Sequence, residues 1–238
     1  MRQPIAFALV GIALGQVFAQ DRFLPARILQ TTLPQQPQMV LGGGEVLFEV
    51  TVGETGVVRE IITLRATPPF TELAAAAVRT WRFTPASQQV DVKLQPRAIE
   101  TRVLVAGVFR PPTLYNGPAP GATPKDVGTA SSQIPFPTET TVPIYPAQVL
   151  FDGIVVVEAA VAANGMVSDA KVVAAGAGFE RAAVDAARQW RFRPAARDGA
   201  PIKTYAYLIF GFRQPITSRV FQPRPVRPPP RPPPPKKP

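Results

Sequence analysis

The chain of 238 residues contains no cysteine and no histidine. Without cysteine there is no disulfide, no thiolate metal site and no thiol nucleophile. Without histidine there is no imidazole base, no Ser-His-Asp relay and no histidine metal ligand. Tryptophan is scarce, with two residues, and charged residues make up only 18% of the chain. Carboxylates, Lys, Arg, Ser, Thr and Tyr are left to do any chemistry. Proline, in contrast, is abundant at 30 residues, and the formal net charge is +10. Hydrophobic residues form 46% of the chain, enough for a packed core.

Both ends read as something other than fold. Residues 1–19 place Arg2 before an uncharged apolar run from Ile5 to Gly15 and finish Val17-Phe18-Ala19. That is the pattern of a secretory signal peptide, with a mature chain expected to start at Gln20. The competing reading is a retained membrane anchor, for which the run is short. Residues 223–238, PRPVRPPPRPPPPKKP, cannot form a helix or a ladder because proline lacks the amide hydrogen. They are expected to form a disordered, extended cationic tail, either a spacer or a contact for anionic envelope polymers. A nucleic-acid partner does not suit an exported chain.

The body repeats itself. Residues 37–86 and 146–195 align without a gap at an offset of 109, with identities that include Gly44/Gly153, Glu49/Glu158, Gly56/Gly165, Phe70/Phe179, Ala74/Ala183 and Ala77/Ala186. The alignment closes on Trp81-Arg82-Phe83 against Trp190-Arg191-Phe192, then Pro85-Ala86 against Pro194-Ala195. Downstream the offset becomes 103, bringing Phe109-Arg110 onto Phe212-Arg213. Repeats of this kind decide the architecture before any other feature does.

Each copy reads as strand, hairpin turn, strand, helix, strand. In the second copy Val155, Val157, Ala159 and Val161 alternate on one strand face, and Asn164-Gly165 marks a hairpin with both turn residues at positive φ. Phe179, Ala183, Ala186 and Trp190 step along one helical face, as do Phe70, Ala74, Ala77 and Trp81. Pro85 and Pro194 are expected to stop the helices. A short helix is expected near Pro146 to Phe151. The fold class is α+β: two small modules, each an antiparallel sheet with a helix on one face. The expected boundaries are a signal peptide at 1–19, module 1 at 36–110, a Pro/Gly/Ser/Thr linker at 111–143, module 2 at 144–215 and the tail at 223–238.

Chemical motifs are weak. Ser168-x-x-Lys171 lacks its companion motifs and lies after a turn, where the penicillin-binding enzymes need a helix. The glycines at 42–44 and 176–178 lack the lysine of a phosphate loop. Glu49 and Glu158 occur once per copy, so they form no catalytic pair, and are expected on the solvent face of their strands. Arg82 and Arg191 suit helix C-termini. No catalytic residue, metal ligand or cofactor site is identified, and the chain reads as a non-enzyme.

The second copy resembles the TonB C-terminal domain. The resemblance rests on Tyr145-Pro146-Ala147, the Asn164-Gly165-Met166-Val167 turn, the alanines between 182 and 187, and Gln189-Trp190-Arg191-Phe192-Arg193-Pro194-Ala195. The first copy keeps the Trp81 to Ala86 run and diverges elsewhere. The resemblance implies a periplasmic protein-binding domain that grips an extended box-like peptide of outer-membrane transporters by adding it beside its last strand. The partner-binding residues it implies are Tyr205, Ala206, Tyr207, Leu208, Ile209, Phe210 and Phe212, on an open edge. On that reading Leu208→Pro abolishes capture and spares the fold. Two other functions are consistent with the sequence: an anchored energy transducer of the TonB type, and a structural protein holding the cell envelope. The oligomeric state is not legible.

Overall fold

The computed structural model describes residues 22–37, 40, 42–89, 94–112, 119–120, 129–176 and 178–215. The signal peptide and the cationic tail read from the sequence lie outside the described residues. The first half runs β1 (Arg22–Leu24), β2 (Arg27–Gln30), β3 (Gly44–Val52), β4 (Val58–Arg65), α1 (Phe70–Val78), β5 (Arg82–Thr84), β6 (Ala86–Gln89), β7 (Arg97–Ile99) and β8 (Thr101–Phe109). A two-residue strand, β9 (Ala119–Pro120), pairs with β11 (Thr141–Val142). The second half runs β10 (Phe136–Glu139), β11, β12 (Gly153–Val161), β13 (Val167–Ala175), α2 (Glu180–Gln189), β14 (Arg191–Arg193), β15 (Ala195–Arg197), β16 (Ala200–Ile202) and β17 (Thr204–Phe212).

The two halves are not separate sheets. They join in one six-stranded sheet of order β13-β12-β17-β8-β3-β4. The seam is the pairing of the two last strands, β17 and β8, which run parallel with Ala206 opposite Leu104 and Gly211 opposite Phe109. All other neighbours in this sheet are antiparallel. The expectation of two independent antiparallel sheets is corrected here.

The seam has a consequence for packing. Parallel neighbours related in this way present opposite faces to their own helices, so α1 covers one face of the sheet and α2 the other. The core under α2 takes Val155, Val157, Leu208 and Phe210 from the second half, and Leu47, Leu104, Ala106 and Val108 from the first. The core under α1 takes Val46, Phe48, Val50 and Val105 from the first half, and Ile154, Val156, Tyr207 and Ile209 from the second. Each helix therefore needs strands of both halves. This is why β12 and β17 are buried at nearly every position and not at alternate ones. Strands covered on both faces read as continuous apolar runs, and Tyr205 to Phe212 is one.

The hairpins and helix ends differ from expectation in detail. Gly165 has φ +81°, but Asn164 is not among the residues with positive φ. The turn is a wider one: the Gly165 amide donates to Ala162 O, and the Asn164 side chain accepts from the Met166 amide. A Cβ at Gly165 would sit 1.9 Å from Phe192 O, and one at Gly56 1.8 Å from Phe83 O. Only glycine lets the turn dock on the strand behind the Trp. The helices stop at Val78 and Gln189, before the prolines, because the Trp-Arg-Phe runs pass into β5 and β14. Pro146 to Val149 forms a turn, with the Val149 amide donating to Pro146 O, and not a helix.

The segment expected as a linker is also corrected where it is described. β10 pairs with β14 in the register Phe136 opposite Arg193, and Ile134 is fully buried. β2 does the same to β5, with Arg27 opposite Thr84. The two pairings lie 109 residues apart, so each half begins upstream of the expected boundary. Trp81 Nε1 donates to Thr32 O at 2.9 Å and Trp190 Nε1 to Thr141 O at 3.1 Å. Thus a leading segment in each half satisfies the one polar atom of its buried Trp.

Candidate functional site

The strand proposed from the sequence as the open edge, Tyr205 to Phe212, lies in the middle of the sheet. Its one side pairs with β12, Leu208 opposite Val157, and its other with β8, Leu208 opposite Ala106. Ala206, Tyr207, Leu208, Ile209, Phe210 and Phe212 are buried, and Tyr205 is partly so. The structure thus keeps the seven residues together and denies them the open edge that strand addition requires. The first half fills it. The outer strands are β4 and β13, and both carry a pair of bulges against their neighbours together with charged side chains such as Arg59, Glu60, Asp169 and Lys171. Bulges and charges are the usual protection of an exposed edge.

Glu49 and Glu158 are not on a solvent face; they are 2% and 3% exposed. The strands that carry them, β3 and β12, are covered on both faces, so no choice of strand face there reaches water. A buried carboxylate survives only with partners. Glu49 Oε1 accepts from Arg102 Nη1 at 2.6 Å, and its Oε2 accepts from the Ser131 amide at 3.0 Å. Glu158 Oε1 accepts from Arg27 Nη2 and lies 3.6 Å from Lys171 Nζ. Tyr207 OH stands 3.5 Å from Glu158 Oε2 and accepts from the Ile28 amide at 3.0 Å. Burial, and then the neighbouring Glu158 charge, push the Tyr207 hydroxyl well above the ordinary phenol range, so it stays protonated.

The partners cross between halves. Ser131 belongs to the leading segment of the second half and serves Glu49 of the first. Arg27 belongs to the leading segment of the first half and serves Glu158 of the second. Burial works to raise the Glu49 pKa, but the Ser131 amide and Arg102 outweigh it and hold the carboxyl below its usual value. A depressed carboxyl contributes stability above its unfolded pKa, and loses it as pH falls through the folded value. The thermal midpoint is therefore expected to fall on acidification below about pH 4.3, the ordinary glutamate value. Glu49→Gln should flatten that fall in a melting series from pH 7 to 3. An unchanged acid slope in the variant would contradict the assignment.

Two grooves flank the helices. One, of about 360 Å³, lies between α2 and the stretch Thr141 to Gln148, with Val142, Pro143, Ile144, Pro146, Ala182 and Ala186 in its walls. The other, of about 320 Å³, lies between α1 and Thr32 to Gln35, with Leu33, Pro34, Leu73 and Ala77. They are the same place in the two halves: Leu33 and Val142, Pro34 and Pro143, Leu73 and Ala182, Ala77 and Ala186 are each 109 residues apart. Alanine on the helix leaves the α2 groove wide, and Leu73 narrows the α1 groove. The charges bordering the first groove, Arg181 and Asp185, lie 3.8 Å apart and offset one another. Ile144 in its wall is an exposed apolar side chain.

Arg82 and Arg191 close the helix ends. Arg191 Nη1 donates to Arg188 O and Trp190 O, and Arg82 Nη1 to Thr80 O and Trp81 O. Arg188 O is one of the last-turn carbonyls a helix leaves without partners, and the other three lie just past the helix ends. Ser168 and Lys171 also have structural partners, Ala160 O and Glu158 respectively.

Residues 143–213 match the family described as Gram-negative bacterial TonB protein C-terminal. The match runs from the leading wall of the α2 groove to the end of β17. That family is a periplasmic protein-interaction domain. No curated protein matches the chain. Among the described residues no helix is long and apolar enough to cross a membrane, and no group of acidic residues could hold a metal ion.

Proposed function

We propose that the chain is a non-enzymatic protein-interaction module of the cell envelope, which takes an extended, uncharged segment of a protein partner into the groove along α2. A peptide of an outer-membrane transporter is the partner class to test first. The observation that carries this reading is the contrast between two surfaces, both built mostly from the matched residues. The edge of β17 is occupied by β8, whereas the groove is open, apolar and free of net charge. A preformed apolar cleft of about 300 Å³ or more is a usual size for a binding site. The neutral walls favour aliphatic and proline side chains over charged ones.

Ala182→Arg places a long cation in the groove at a partly buried position on the margin of the core. It is expected to weaken a transporter-box peptide at least tenfold, about 1.4 kcal/mol, with the melting curve unchanged. Unchanged peptide affinity would overturn the groove as the site. Strand addition at Tyr205 to Phe212 is distinguishable from it. A peptide bound there must displace β8, so hydrogen exchange in Thr101 to Phe109 would accelerate on binding; groove binding leaves that strand protected.

A further inference from the structure

The second half carries a recognition pocket that the chain fills with its own leading segment. Glu158 is buried, and the cation its own sheet offers, Lys171 on β13 at 3.6 Å, stands farther off than the Arg102 that answers Glu49 at 2.6 Å. In the first half Thr51 lies opposite Arg102; at the equivalent place in the second half Ala160 lies opposite Tyr205. A tyrosine stands where the cation would be. A second, closer cation arrives from residue 27, some 130 positions away in the chain. The Arg27 guanidinium reaches Glu158 Oε1 and lies 4.7 Å from the centre of the Tyr205 ring. Around it the strap is held by main chain: the Ile28 amide donates to Tyr207 OH, and Tyr207 OH is 3.3 Å from Ala26 O. Arg27 and Ile28 pair with Thr84 and Phe83 of β5.

Every element of a strand-addition site is present: an edge, β5, that pairs with an extended segment; a buried carboxylate; and two tyrosines that contact an arginine and the backbone beside it. The carboxylate is buried and the side chain that reaches it is at the surface, for the Arg27 side chain is 46% exposed while Glu158 is 3% exposed. Charge and shape thus select an arginine with small and aliphatic neighbours, as in Pro25-Ala26-Arg27-Ile28.

We propose that this pocket is a second binding site, specific for an extended arginine-bearing peptide of a protein partner, and that residues 25–30 occupy it in cis as a competing pseudo-ligand. The site is distinct from the α2 groove and does not depend on it. A tethered segment competes at an effective concentration on the order of millimolar, so the intact strap excludes a free peptide until it is weakened or outcompeted.

The test uses the full chain and a labelled synthetic peptide of residues 24–33. The peptide is expected to bind the Arg27→Ala chain at least tenfold more tightly than the unaltered chain. Replacing the arginine of the peptide with alanine should cost at least tenfold, and so should adding Glu158→Gln to the Arg27→Ala chain. Circular dichroism checks that each variant is folded. If Arg27→Ala does not fold, Arg27→Lys keeps the charge, loses the planar fork, and takes its place with the same expected order. No binding to a folded weakened-strap chain, or binding indifferent to the arginine of the peptide, would overturn the proposal.

Discussion

Leu208→Pro should unfold the chain. Leu208 lies at the centre of β17, fully buried, with Val157 on one side and Ala106 on the other. Proline removes an amide donor, and with a neighbour on each side of the strand there is no direction in which the loss is harmless. A cost of about 3 kcal/mol or more is expected from the backbone alone. The seam is shared by both cores, so the loss reaches α1 as well as α2. The same substitution on an open edge would spare the fold and act on partner binding. Far-ultraviolet circular dichroism and a urea titration separate the two outcomes. The equivalent change at Val105, buried in β8 and opposite Tyr207, is expected to be as severe.

Trp190→Ala is the second large effect. Trp190 is 1% exposed, meets Phe210 edge-on with ring centres 6.0 Å apart, and anchors the leading segment through Thr141 O. Truncation removes the ring, leaves a cavity and strands that carbonyl, for an expected cost of about 3–5 kcal/mol. A small domain has about 5–15 kcal/mol in all. Trp81 holds the same place under α1, with Tyr207 of the other half against it at 6.3 Å. Each variant should therefore destabilise the whole sheet in one transition. Two separable transitions, with the undamaged half melting as before, would contradict a shared core.

Much of each half was legible. The steps of four, three and four residues from Phe179 to Trp190 and from Phe70 to Trp81 placed the buried helical faces, and the apolar runs placed the long strands. The joining of the halves was not read, although it left a trace. Alternation in Val155 to Val161 describes one buried face, but Ile154, Val156 and Ala160 between them are apolar too, which is the mark of a strand covered on both sides. Glu49 and Glu158 hid that mark, since a charge on a strand ordinarily means water. The leading segments were missed because short Pro- and Thr-rich pieces have no period to detect. Their trace is the repeat itself: Thr31-Thr32-Leu33-Pro34 and Thr140-Thr141-Val142-Pro143 continue the offset of 109 upstream. The open edge expected at Tyr205 to Phe212 was not excluded by the sequence for the same reason. An edge is a property of the whole sheet, and Tyr205 to Phe212 reads alike whether its neighbour is water, a peptide or β8.

The central claim is that β17 and β8 form a closed seam inside one sheet. Native-state hydrogen exchange on the intact chain tests it directly. The amides of Thr204 to Phe212 and Thr101 to Phe109 are expected to be the slowest set, opening together at the free energy of global unfolding, while those of β4 and β13 exchange earlier. Fast exchange along Thr204 to Phe212, independent of Thr101 to Phe109, would show that the last strand is an open edge after all.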